Sequence, residues 1–179
     1  GDTAMKFAYA SERWKSFLSH IPAQRQQMEV LYYRQRLSAI ASYRQAIEEN
    51  PSPQNIRRLM IIEYPGKRAP EIEKLSVLAA RRKETKAEVA MWQAIYAGKT
   101  PLTPQQVSAY SSVIRRLGLG WYESLALSDL YERGGLSKEA RAEHEKAVND
   151  AVRTVMMLVA LLAVVGTLGF AGIFVIVWY

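Results

Sequence analysis

From Thr154 to Tyr179 the chain carries no charged side chain; the run reads TVMMLVALLAVVGTLGFAGIFVIVWY. A helix of about 20 apolar residues crosses the hydrocarbon core of a bilayer, so this segment is long enough to span one with some tilt. Its place at the C-terminal end distinguishes it from a cleavable signal peptide. Arg153 marks one edge of the run and Trp178 and Tyr179 the other, as cationic and aromatic anchors do at a membrane interface. Gly166, Gly169 and Gly172 recur at every third position. Small residues let two helices approach closely in lipid, so these three are candidate packing positions toward another membrane helix. The ordinary use of glycine in membrane helices explains them equally well.

The remaining residues are polar and basic. The whole chain has 24 Lys and Arg against 17 Asp and Glu, a formal charge of +7. Most of these charges read as solvated helix faces. A basic domain beside a membrane also gains from the negative surface potential, so contact with anionic lipid is expected. Nucleic acid is not an expected partner, because the chain has neither a glycine-rich RNA motif nor zinc-finger spacing. The absence of cysteine excludes disulfides, thiolate catalysis and cysteine metal sites. The chain starts at Gly1 rather than Met and stops within the apolar run, so we read it as a piece of a longer protein.

Ala, Leu, Arg, Glu and Gln dominate residues 1–150, and no long strand-like alternation occurs. The fold class expected is all-α: a basic helical domain over 1–150 and a transmembrane helix over 151–179. Prolines mark the boundaries, because proline is tolerated in a first helical turn and breaks an interior. The punctuation predicts helices over 4–19, 23–49, 53–63, 71–97, 104–117 and 121–133, and a last helix starting at Ser137. Thr103 caps the helix that begins at Pro104. Nothing interrupts the last helix, which therefore continues into the apolar run as one rod of roughly 60 Å at 1.5 Å per residue.

Helix pairs at this spacing raise the question of a repeat. Ala39, Tyr43, Ala46 and Pro51 stand at the spacing of the Ala, aromatic, Ala and closing Pro of a tetratricopeptide second helix. Leu127, Ser128, Tyr131, Ala140 and Ala147 fit the Leu, small, Tyr, Ala and Ala positions of another repeat, with His144 where an aromatic is usual. Met60, Tyr64, Val77 and Ala80 give a partial match between them. A generic helical bundle with Ala and Tyr in register would look similar. Degenerate repeats bury their apolar faces only by stacking on neighbours, which leaves a surface for a binding partner.

Catalytic patterns are missing. HExxH, a nucleophile elbow, a Walker loop and a dinucleotide fingerprint are all absent. His20 ends a helix, where a cation meets the C-terminal dipole. His144 stands between Glu143 and Glu145, but adjacent helix residues point in different directions, so it reads as a surface histidine rather than a metal ligand. Gly118 and Gly120 read as a turn between two helices. No cofactor is expected.

The segments MWQAIYAGKTPLTP and RRLGLGWYESLALSDLYERGGLSKEARAEHEKAV, followed by a basic residue and the apolar run, resemble one arrangement. It is the tetratricopeptide-like region ahead of the membrane domain in bacterial CPBP-family (CAAX protease and bacteriocin-processing) intramembrane metalloproteases. Those enzymes carry Glu-Glu-x-x-x-Arg and histidine motifs on membrane helices. Here Glu48-Glu49 is followed by Pro53 where the Arg would stand, so no catalytic residue carries over. The resemblance implies a bacterial inner-membrane location, with the basic residues before the apolar run placing the domain on the cytoplasmic side. The resulting expectation is a non-catalytic, membrane-anchored scaffold that touches lipid and binds a membrane-protein partner, as an accessory subunit. Two alternatives stand beside it: the front part of a CPBP protease, and a basic module that senses anionic lipid.

Overall fold

A computed structural model describes residues 1–18, 20–63, 67–80, 83–97 and 101–178, with side chains at all of these except 69, 83–85, 97 and 167–178. Among them are eight α-helices and no strand. These are α1 (Asp2–Phe17), α2 (Pro22–Glu49), α3 (Pro53–Ile62), α4 (Ala69–Ala79), α5 (Lys83–Trp92), α6 (Pro104–Arg116), α7 (Trp121–Arg133) and α8 (Ser137–Trp178). A π turn, Gln93–Ala97, continues α5.

The local chemistry explains most of the ends. Pro22, Pro53 and Pro104 open α2, α3 and α6, where the missing N–H has no intrahelical partner to lose. The Ser52 hydroxyl accepts from the Asn55 amide at 3.1 Å. Thr103 and Gln106 form a reciprocal capping box, each side chain accepting the other's backbone N–H. After α7, Gly135 turns left-handed (φ 73°), and the Leu136 amide reaches back to the Tyr131 carbonyl at 2.9 Å. That is a Schellman stop.

The single helix expected over 71–97 is instead two helices and a π turn. Neither proline nor glycine breaks it. The two pieces pack on one another, with Leu75 and Ala79 of α4 and Val89 and Trp92 of α5 all buried in the core. A straight rod could not fold back to bury both faces, so packing overrides local propensity here.

Consecutive helices pack side by side from α1 to α5 and again from α6 to α8, as in a helical stack. Two further contacts close the arrangement: α3 meets α7, and α1 lies along α8. Lys6 faces Asp150 and Arg13 faces Glu145, so α1 runs antiparallel to α8. On the other side, the Trp121 indole donates to the Ala147 carbonyl (2.8 Å) and the Ser128 hydroxyl to the Ala140 carbonyl (3.0 Å), so α7 is antiparallel to α8 as well. The first half of α8 is thus held between α1 and α7. Buried Ala8 and Ala10 on α1 and buried Ala147 and Ala151 on α8 supply the small residues that close approach needs.

Candidate functional site

Helix α8 changes character along its length. Ala140, Ala147, Val148 and Ala151 are buried. Between residues 152 and 166 no side chain is buried, and eight successive residues from Val159 to Gly166 are exposed in every direction around the axis. The large apolar side chains there range from 53% exposed at Val159 to 71% at Leu162. A helix segment that is apolar all round and exposed among the described residues has the signature of a membrane span. It is the one described helix long and apolar enough to cross a bilayer.

A Cβ at Gly166 would meet nothing within 4 Å among the described residues. Gly169, Gly172 and Trp178 lie outside the residues whose side chains are described, and Tyr179 lies outside the described residues altogether. Arg153 is exposed at the root of the apolar segment and has no ion pair or hydrogen bond among the described residues.

The structure places five of the seven candidate stacking residues inside: Ala39, Tyr43, Leu127, Ala140 and Ala147 are buried, while Ala46 and Tyr131 are half-buried. Tyr43 does more than fill space. Its hydroxyl meets the Asp2 carboxylate of α1 and lies 3.0 Å from the Tyr122 hydroxyl of α7. Burial, followed by the hydrogen bond to Asp2, pushes the Tyr43 phenol up to about 12. In the middle match Met60 is buried but Val77 is 71% exposed and Ala80 is exposed too; Tyr64 lies outside the described residues.

Several charges that read as solvated helix faces turn out to be interior staples. The Arg57 guanidinium donates to Glu88 (Nη2 to Oε2, 2.6 Å), and the same carboxylate accepts from the Trp92 indole at 2.9 Å. Arg68 reaches the Glu63 carbonyl (2.9 Å) and the Asp129 carboxylate (3.0 Å) with its guanidinium 3.9 Å above the Tyr96 ring. Tyr96 rides on the π turn and stacks on Trp92, their centroids 5.0 Å apart. Glu63, only 2% exposed, pairs with Arg44. Burial raises the Glu71 carboxyl above the ordinary glutamate range. These groups tie α2, α3, α4, α5 and α7 together, although the second Glu63 carboxylate oxygen is buried without a hydrogen-bond partner among the described residues.

His144 is not the free surface histidine its sequence neighbours imply. It is half-buried, with Nε2 3.0 Å from a Glu12 carboxylate oxygen across the α1–α8 seam and its ring beside Tyr9. The hydrogen bond to Glu12 raises its pKa, outweighing partial burial. Its counterpart His20 is exposed. Glu48 and Glu49 are exposed at the end of α2, far from any apolar helix interior. Among the described residues no group of three or more His, Cys, Asp or Glu could hold a metal ion.

Two surface features had no signal in the sequence reading. On α2, Val30, Tyr33 and Leu37 are all exposed at helical spacing and form one apolar stripe. At the root of α8, a cleft of about 690 Å³ opens between α7 and α8, walled by Trp121 and Glu123 on one side and Lys146, Asp150 and Arg153 on the other. The cleft could not be placed before α7 was seen beside α8, nor the stripe before α1 and α3 were seen on α2. No family model matches the chain, and no curated protein or solved structure does so either.

Proposed function

We propose that this chain is a non-catalytic, membrane-anchored helical scaffold that holds a membrane-protein partner beside the bilayer, as an accessory subunit in a bacterial inner membrane with its domain on the cytoplasmic side. The observation that carries this reading is the unbroken course of α8, buried between α1 and α7 at its start and exposed and apolar from Val159 to Gly166. A continuous helix transmits the orientation of the domain to the membrane segment without a hinge. The α2 stripe supports a partner role, because exposed apolar residues clustered on one face mark interaction sites. The ion pairs Arg57–Glu88 and Arg68–Asp129, which tie one helix to another, support a structural role for the interior.

Site-specific photo-crosslinking in native membranes tests the reading. A crosslinker at Leu37 is expected to trap one discrete membrane protein, while the same group at Val77, on an exposed residue away from the stripe, traps none. Adducts absent at Leu37, or indistinguishable at both positions, would remove the scaffold reading. A native chain that continues past Tyr179 into further apolar helices bearing Glu-Glu-x-x-x-Arg would instead favour the protease alternative.

A further inference from the structure

We infer that the cleft at the root of α8 binds the phosphoethanolamine headgroup of a bilayer lipid. The inference rests on the membrane-anchoring part of the proposed function. Its depth follows from α8 itself. A cation at the centre of a bilayer is costly, so the hydrocarbon edge falls at or beyond Arg153. The headgroup layer adds roughly 5–8 Å on each side of the hydrocarbon core. At 1.5 Å per residue, Asp150 stands about 4–5 Å from Arg153 along the axis, inside that layer. Trp121, a residue type that favours the interface, walls the cleft, and its indole is pinned to the Ala147 carbonyl at 2.8 Å. The wall is therefore preorganised.

The charges select the headgroup. The chain as a whole is basic, but this cleft is not: Lys146 and Arg153 face Glu123, Glu145 and Asp150. Arg115 approaches Glu123 at 3.5 Å and Arg13 approaches Glu145 at 3.3 Å, so the least neutralised carboxylate that a purely anionic headgroup would meet is Asp150. A headgroup carrying both signs is complementary. Arg153 and Asp150 are three apart on one helix face, yet they do not pair with each other. Arg153 has no partner among the described residues, and Asp150 makes only a loose 3.8 Å contact with Lys6 through one oxygen. The phosphate fits Arg153; Lys146 lies about two helical turns away, 3.8 Å from Glu143. The ammonium fits Asp150, with Glu123, which Arg115 also approaches at 3.5 Å, across the cleft. A primary ammonium donates hydrogen bonds to these carboxylates, which the quaternary ammonium of a choline headgroup cannot do.

The test uses the full chain in bilayer discs made from a phosphatidylcholine background with phosphatidylethanolamine or phosphatidylglycerol added in equal amount. After extraction into mild detergent, the lipid retained per protein is counted by mass spectrometry. Phosphatidylethanolamine is expected to be retained near one per chain and above both other lipids. Arg153→Gln should lower that retention roughly tenfold, the scale of one lost charge-assisted contact, while Arg141→Gln, on the same helix but outside the cleft, leaves it unchanged. Arg153 holds no fold contact, so the variant tests the site and not the stability. Retention that follows negative charge, or that Arg153→Gln does not alter, overturns the inference. Competition by soluble glycerophosphoethanolamine as effective as the bilayer lipid would also overturn it, by moving the source out of the membrane. Flotation of the chain with vesicles reads the anchoring separately: a chain that does not float refutes the anchor, and one that floats without selecting the lipid refutes only the site.

Discussion

At the scale of single residues, the α1–α8 seam titrates. The Glu12 hydrogen bond raises the pKa of His144, and Tyr9, Glu132 and Glu145 also face the ring's surroundings. A raised histidine pKa contributes stability that is fully present below the ordinary value of about 6.5 and is lost as the pH rises through the folded-state value. Thermal unfolding in detergent from pH 5.5 to 9 should show the wild-type advantage over His144→Gln shrinking with rising pH. An advantage that is flat or grows with pH refutes the pair. A second residue, Gly135, owes its identity to backbone conformation alone: at φ 73° a Cβ is strained, though space around it is open. Gly135→Ala should cost about 1 kcal/mol in unfolding free energy, measured by denaturant titration, with no change in the folded spectrum. Residues of this kind differ in legibility. The glycine stop was readable because its chemistry is local. The role of His144 was not, because Glu12 lies 132 residues away and no local pattern announces it.

Helices are the scale at which the chain divides its work. Six of the expected helices are found within a few residues of their predicted ends, because proline at a first turn and glycine at a stop act on their own helix. The seventh, over 71–97, came apart into α4, α5 and a π turn because folding back buries Leu75, Ala79, Val89 and Trp92 together. Helix α8 carries two environments in one rod, and its two halves should respond separately to substitution. Leu162→Arg, at a position 71% exposed, should leave the melting temperature of the detergent-solubilised domain within about 1 °C. The same change should lower the carbonate-resistant membrane fraction, since arginine at a helix centre costs about 3 kcal/mol on insertion scales. A variant that inserts as well as wild type would show that the apolar half is not the anchor.

The whole molecule is closed by its first helix. Helix α1 packs on both α2 and α8, and Met5 is fully buried against that junction. Helix α1 is therefore part of the core, and hydrogen exchange should report protection in α1 equal to that in α7 and in the first half of α8. Exchange in α1 that is orders of magnitude faster would mean that the seam opens independently. Met5→Ala should destabilise the domain by about 2–5 kcal/mol, as expected for a large core side chain removed from a closed site. By itself the sequence determined the all-α class, most helix boundaries and the uncharged C-terminal run, all of which arise from interactions within a few residues or from composition. Only the tertiary structure decided which helix lies along α8, which charges become interior staples and where a mixed-charge cleft opens. Those outcomes depend on contacts between residues far apart in the chain, and such contacts are chosen by the burial and pairing of surfaces that exist only once the helices have met.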